Sequence, residues 1–232
     1  MKSPRIAGRI VCPGEELDPS VEAEHPYVVE FGGRKIATVV GLYTEREGRK
    51  AFIKLKGLYI PRPGDVVIGL VVGQGVMNWY LDINSPYTAT LMVQDFLGRQ
   101  YNPAVDEMSR LLSVGDYVKA RVAAFDKTRN PALTVQGEGL GRIVSGSVVE
   151  VSPAKVPRII GKKKSMVSLI EEKTGCKLFV AVNGRVHVEC GSEDMEPLVA
   201  YTIKLIEREA HTSGLTARVT RFLEEELRIR GK

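Results

Sequence analysis

The chain has 232 residues, of which 44% are hydrophobic and 26% charged, a composition typical of a globular rather than a disordered protein. No apolar run is long enough for a membrane helix and no secretory leader is recognisable, so we expect a cytoplasmic protein. The formal net charge of +5 is a weak sign of a polyanionic partner, and most of the excess lies in the last third of the chain.

The first predicted unit, residues 1–58, contains short apolar runs separated by turn residues. Strands are predicted at Tyr27–Phe31, Ile36–Tyr43 and Ala51–Leu55, with turns at Gly32-Gly33 and at residues 45–49. A segment of about fifty residues has a thin core, so this small β domain should depend on a neighbour or a partner protein.

The second predicted unit, residues 59–137, opens at Pro61-Arg62-Pro63-Gly64-Asp65 and has five strand-like runs without a long helix. These runs are Val66–Val72, Val76–Ile83, Ala89–Val93, Tyr117–Phe125 and Ala132–Gln136. Such a pattern favours a small closed β-barrel. In the fourth run, one face is predicted to be apolar (Val118, Ala120, Val122, Ala124) and the other aromatic and basic (Tyr117, Lys119, Arg121, Phe125). Rings and cations on one face suit single-stranded nucleic acid.

A predicted hinge, residues 137–141, leads to the third unit, residues 141–212, which is followed by a terminal helix within residues 213–232. The hinge glycines lack the preceding buried strand that a dinucleotide-binding loop needs. The predicted elements are a strand at Ser147–Val151, a helix over 165–173, strands at Lys177–Val182 and Arg185–Cys190, and helices over 193–209 and 216–229. Asn183-Gly184 joins the two later strands as a hairpin turn.

A basic segment without acidic residues, 155–164, precedes the first of these helices. A glycine lets the main chain approach phosphates, a helix N-terminus presents free N–H groups, and lysines add positive charge. We therefore predict RNA binding by Lys155, Arg158, Gly161, Lys162, Lys163, Lys164 and Ser165. The alternative is a solvated charged loop.

Two parts of the chain resemble RNA-binding families. Ile159–Met166, followed by helix, strand, Asn-Gly turn, strand and helix, resembles a type I KH domain, whose Gly-X-X-Gly loop clamps the nucleic-acid backbone. Lys164 stands at the second glycine position. Pro63–Gly69, Asn78–Ile83 and Val114–Val122 resemble an S1-type barrel.

The S1 resemblance implies a stacking face on the barrel. Trp79 and Tyr80 fall near the family's aromatic positions, and Met92 stands where the family has a histidine. Because neighbouring residues of a strand point to opposite faces, one of the two aromatic residues should lie in the core.

The domain order predicts an α+β multidomain fold: a small β domain, a five-stranded S1 barrel, a KH domain and a C-terminal helix. This order is similar to the S1/KH cap subunits of the archaeal exosome. The resemblance implies a non-catalytic subunit that binds single-stranded RNA for degradation and processing. It implies a trimeric cap on a hexameric ring of RNase PH-like phosphorolytic 3′–5′ exoribonuclease subunits, docked through the N-terminal domain and sometimes mixed with a zinc-ribbon sibling. The lack of a CxxC pair argues against that sibling.

No nucleophile–base set, metal cluster or phosphate loop is evident, so we expect no catalytic residue, no cofactor and no metal. Three alternatives stay open: a stand-alone S1/KH RNA chaperone or translation-associated factor, an adaptor with incidental RNA contacts, and a hydrolase whose triad is only spatial. His187 is expected to be an exposed strand residue. The three cysteines lack paired spacing, so a disulfide framework is not expected, and Cys176 and Cys190 are interpreted as small core residues.

Overall fold

The computed structural model describes residues 8–22, 27–46, 49–55, 57–192 and 194–230. The chain forms two compact units, Met1–Leu58 and Tyr59–Lys232. In the described part of the chain, no helix is long and apolar enough to cross a membrane.

The first unit consists of two three-stranded antiparallel sheets, which confirms the predicted small β domain. The strands are β1 (Gly8–Val11), β2 (Glu16–Leu17), β3 (Val28–Phe31), β4 (Arg34–Ala37), β5 (Gly41–Arg46) and β6 (Arg49–Lys54). The sheet orders are β1-β5-β6 and β2-β4-β3. Gly32 and Gly33 both have positive φ, as a tight hairpin turn between β3 and β4 requires. Glu47 and Gly48 of the second predicted turn lie outside the described residues.

The second unit begins with the predicted five-stranded barrel, which is confirmed. Its strands are β7 (Val66–Gln74), β8 (Asn78–Asp82), β9 (Thr88–Met92), β10 (Tyr117–Ala124) and β11 (Ala132–Thr134). They lie in the order β11-β9-β8-β7-β10, and pairing of β10 with β11 closes the barrel. Two short helices, α1 (Val93–Leu97) and α2 (Met108–Leu111), lie between β9 and β10. A short strand, β12 (Gly141–Arg142), pairs with β10, so the last residue of the predicted hinge is hydrogen-bonded to the barrel.

The rest of the second unit has the strand and helix order predicted for a type I KH domain. Its elements are β13 (Ser147–Glu150), α3 (Val156–Ile160), α4 (Ser165–Thr174), β14 (Lys177–Val180), β15 (Arg185–Glu189) and α5 (Met195–Glu209). The antiparallel sheet has the order β13-β15-β14. Helices α3, α4 and α5 pack on one face of it, and the C-terminal helix α6 (Leu215–Ile229) contributes Val219 and Leu223 to the same core.

The prediction of an exposed His187 is wrong. His187 is buried, and its Nε2 lies 2.8 Å from the carbonyl oxygen of Ser145. Val186 and Val188 face the helices, whereas Arg185 on the opposite face bonds to barrel residues. Both faces of β15 are therefore covered, and a strand covered on two sides has no exposed set of alternate residues.

The prediction that no disulfide forms is also wrong. Cys176 and Cys190 form a disulfide bond, while Cys12 is free and exposed. The hairpin register explains this pairing, because Lys177 lies opposite Glu189 and the two cysteines therefore come next, face to face, at its open end. In a hairpin with this register, residues 14 apart in sequence become direct neighbours.

Candidate nucleic-acid interface

The loop between α3 and α4 is shaped by Gly161. Its φ of +74° lies in the left-handed region, and a β-carbon there would lie 2.7 Å from the backbone nitrogen of Met166. Only glycine fits both conditions. The buried side chain of Met166 holds the first turn of α4 in the core, so the loop has a fixed anchor.

The loop presents positive charge at the start of a helix. Lys162, Lys163, Lys164 and Ser165 are all exposed, and Ser165 is the first residue of α4. No side chain caps this helix, so its first N–H groups point toward the loop. Ammonium groups, free N–H groups and the helix dipole together form an anion-binding arrangement.

Two more predicted cations come from the turn and helix that precede this loop. Arg158 on α3 is exposed, and Lys155 in the turn before α3 is half-buried. Buried Val156 and Ile159 fix the orientation of α3. Across the described ranges, no ion pair uses Lys155, Arg158 or the three loop lysines. Their positive charge is therefore not neutralised by a carboxylate of the described chain.

An apolar strip lies beside the loop, and the sequence reasoning missed it. The strip consists of Ile160, Leu169, Leu178 and Val180, which are partly buried against the KH core. They come from α3, α4 and β14, and β14 is an edge strand that contacts both helices. Next to a loop that presents positive charge and free N–H groups, such a strip offers contact area for bases. Spacing alone could not identify the strip, because an apolar residue that stays partly exposed has the same sequence pattern as one in the core.

The barrel presents a second candidate surface on β8 and β9. The side chain of Tyr80 is exposed to 39%, and its ring lies over Gly73 of β7, 3.6 Å from where a β-carbon would stand. Met92 is exposed to 45% and pairs across the sheet with Asn78. An exposed ring beside a flexible thioether can stack with a base.

Trp79 does not belong to that surface, which corrects its assignment as an RNA-binding residue. It is fully buried in the barrel, and its Nε1 donates a hydrogen bond of 3.2 Å to the carbonyl of Leu112. Its ring also packs edge-on against Phe96 at 5.5 Å. An indole with its N–H satisfied inside the core is not available to a ligand.

The predicted aromatic and basic face of β10 is divided. Lys119 is half-buried with its Nζ 5.0 Å from the centre of the Phe179 ring in the KH domain, and burial lowers the pKa of this ammonium group. Arg121 stays exposed. The predicted inward side of Ala124 is wrong, because a register shift after Val122 turns the end of the strand outward.

Among the described residues, no group of three or more His, Cys, Asp or Glu side chains is placed to hold a metal ion. The groups present on the two surfaces can neutralise charge, donate backbone hydrogen bonds and stack with bases.

Comparison with known proteins connects these surfaces to one family. Residues 146–194 match the model of the KH domain, and residues 59–138 match the model described as exosome complex component RRP40, S1 domain. Exosome complex component Rrp4 of Aeropyrum pernix is 63% identical over 228 residues, which cover 97% of each chain. Its counterpart in Saccharolobus solfataricus is 42% identical over 224 residues, 94% of this chain and 88% of the relative.

A crystal structure described as that of a candidate exosome complex RNA-binding protein matches with a TM-score of 0.72 at 65% identity, covering 75% of this chain and 99% of the solved one. Sequence, domain order and fold agree. The chain therefore belongs to the Rrp4 family of exosome complex components.

Proposed function

We propose that this chain is the RNA-binding cap subunit of an exosome and guides single-stranded RNA into a phosphorolytic 3′–5′ exoribonuclease ring. The observation that carries the proposal is the Gly161–Ser165 loop, where exposed lysines and uncapped N–H groups converge. The family relationship supports the assembly, since the relatives are named as exosome complex components.

The RNA strand is held mainly by its backbone. Phosphates bind the loop lysines and the start of α4, while bases lie against the apolar strip and on Tyr80. The residues proposed to bind RNA are Lys155, Arg158, Gly161, Lys162, Lys163, Lys164, Ser165, Tyr80 and Arg121. Because phosphate contacts carry no sequence information, the chain binds many RNA sequences.

The chain's own role is binding rather than catalysis. Lysine ammonium groups and backbone N–H groups neutralise phosphates, but they offer neither a nucleophile nor a general base for strand cleavage. Phosphorolysis is therefore assigned to the RNase PH-like subunits of the ring, where the captured 3′ end is delivered.

The N-terminal domain, residues 1–58, docks on the ring. Ile10, Leu42 and Ile53 lie in register across the sheet β1-β5-β6 and form an apolar stripe. Ile10 is exposed to 63% and Ile53 to 51%, which suits burial against another protein. Three copies then form a cap on the hexameric ring, in places mixed with the zinc-ribbon sibling, in the cytoplasm. The domain limits proposed for this arrangement are 1–58, 59–137, 141–212 and 213–232 for the terminal helix.

A charge-reversal experiment tests the loop. The variant Lys162→Glu, Lys163→Glu, Lys164→Glu should lose affinity for RNAs of unrelated sequence, measured by fluorescence anisotropy at several salt concentrations. The wild type should show a slope of log affinity against log salt near −3 if about four phosphates of a single strand are neutralised. The matched control reverses three exposed arginines on α5 and α6: Arg208→Glu, Arg221→Glu and Arg228→Glu.

Equal loss of affinity in both triple variants would mean that net charge, not the loop, attracts RNA. A wild-type slope near zero would contradict the charge-based mechanism. Capture of native partners tests the assembly: ring subunits should co-purify with the chain, whereas ribosomes would favour a stand-alone, translation-associated factor.

A further inference from the structure

The contact between barrel and KH domain is built around two buried polar side chains, Arg185 and Asn183. We call this contact the S1–KH seam; its barrel side consists of Ile68, Asp82, Ile83 and Asn84. Arg185 is exposed to only 2%, and Asn183 is fully buried. Burial of such polar side chains destabilises the fold unless every donor has a hydrogen-bond partner. The partners of Arg185 and Asn183 therefore indicate what the two residues do.

Arg185 bonds to both domains at once. Its guanidinium donates to the carbonyl of Ile68 at 3.2 Å and to both the carbonyl and the carboxylate of Asp82. Its Nε donates to Glu150 on β13 of the KH domain at 2.9 Å. The planar guanidinium directs its donors at fixed angles, so this set of acceptors defines one orientation of the barrel relative to β15.

Asn183 adds a second directional link. Its Nδ2 donates to the carbonyls of Ile68 and Ile83, both at 2.9 Å, and its Oδ1 accepts from the N–H of Ile68 at 3.3 Å. Asn84 of the barrel donates back to the carbonyl of Asn183 at 2.8 Å. The seam therefore joins main-chain atoms of two adjacent barrel strands to the KH hairpin.

A fixed seam has a consequence for a ligand that spans two surfaces. When one strand engages two linked sites, the second contact is intramolecular, and its effective concentration depends on the geometry between the sites. If the two domains reorient freely, the second contact adds less affinity, because many orientations do not present both sites to one strand.

We propose that Arg185 is a positioning residue that holds the KH loop and the Tyr80 surface in one orientation, so that a single RNA strand engages both. The inference rests on the proposed function and deepens it. The affinity for RNA should therefore increase with RNA length. This increase should depend on Arg185, although Arg185 is buried in the seam and does not touch the RNA.

The test compares Arg185→Met with the wild-type full chain. Methionine keeps the length and apolar stem of the side chain but removes every directional bond. The probes are an oligoadenylate of about four nucleotides, the length one KH loop clamps, and one of about twenty, longer than a single barrel site. Binding is measured by fluorescence anisotropy.

We expect the variant to bind the short probe within about twofold of wild type and the long probe at least about tenfold more weakly, since linkage contributes on the order of a hundredfold or more. Lys173→Met is the matched control, because it removes the Lys173–Glu224 ion pair of 2.8 Å within the same unit without touching the seam. The control should keep the wild-type ratio of long-probe to short-probe affinity.

A milder variant guards against misfolding. Arg185→Lys keeps a positive charge in the seam but loses the planar fork of donors that bonds to Ile68, Asp82 and Glu150. If Arg185→Met does not fold by circular dichroism, a reduced affinity ratio in Arg185→Lys supports the proposal, and an unchanged ratio overturns it.

The possible results distinguish failure of the proposed function from failure of the positioning role of Arg185. A wild-type chain that binds neither probe overturns the proposed function itself. A wild-type chain that binds both probes equally, or a folded Arg185→Met with the wild-type ratio, overturns only the positioning role.

Discussion

Lys164 combines backbone strain with a proposed role in RNA binding. Its φ of 64° and ψ of 15° lie in the left-handed region, where a residue with a β-carbon is disfavoured by about 1–2 kcal/mol. The neighbouring Lys163 has φ 54°. The sequence marked Lys164 as a departure from the Gly-X-X-Gly pattern, and the structure adds that it adopts a glycine-like conformation. We infer that the Lys164 ammonium group strengthens RNA binding, and that this offsets the fold stability lost to the strained backbone.

Replacing Lys164 separates these two effects. Lys164→Gly should change the free energy of unfolding by less than about 1 kcal/mol, because relief of strain offsets the entropy gained by the unfolded chain. It should also lower the steepness of the salt dependence by about 0.7, the loss of one contact to single-stranded RNA. Lys164→Asn tolerates the same backbone and loses the same charge, so both variants should bind alike. A wild-type salt slope in both would exclude a phosphate contact at Lys164.

Asp106 should stabilise the barrel in a pH-dependent way. A hydrogen bond from the Arg99 guanidinium, followed by the N–H of Asn102, lowers the pKa of Asp106 to about 2. In the unfolded chain an aspartate has a pKa of about 4. The stabilisation by ionised Asp106 is therefore complete above about pH 4 and is lost as the pH falls toward about 2. Asp106→Asn should flatten this part of the stability profile, measured by urea unfolding. Parallel profiles for wild type and variant would contradict the assignment.

At the scale of elements, the disulfide joins the residue after the α4 cap to the residue that follows β15. Closing a loop of about 15 residues contributes about 3 kcal/mol in the chain-entropy model. We therefore expect reduction, or Cys176→Ala with Cys190→Ala, to lower the melting temperature by several degrees in calorimetry. Cys12→Ala should have no such effect. Alkylation of all three cysteines without a reductant would contradict the bond.

Elements with a clear period were predictable, but the exposure of side chains on a strand covered by a second domain was not. The helix predicted over 165–173 is observed at Ser165–Thr174, since its apolar spacing and Gly175, with φ +69°, both mark its limits. The strand Arg185–Glu189 gave a misleading pattern, because the barrel covers Arg185 and the segment at Ser145 covers His187, both opposite the helix-facing valines. Alternation identifies two faces but not what covers each.

At the scale of the whole molecule, we expect that changing the apolar stripe of the N-terminal domain prevents assembly with the ring but leaves RNA binding intact. Ile10→Lys with Ile53→Lys should fold normally, because both side chains are exposed, yet fail to associate with ring subunits in size-exclusion chromatography. Phe31→Lys alters an apolar residue on the other sheet that is more exposed than either isoleucine, and it serves as control. Normal association of the double variant would remove the stripe from the docking surface.

The sequence by itself determined the domain order, the five-strand pattern, the basic loop and the family resemblance, because each depends on residues that are close along the chain. Tertiary structure alone decided that Trp79 is inside and Tyr80 outside, that Cys176 meets Cys190, and that Lys119 faces the KH domain. Those outcomes depend on barrel closure, strand register and domain packing. Such contacts join residues that are distant in sequence, and no local pattern encodes which distant surface will cover a given side chain.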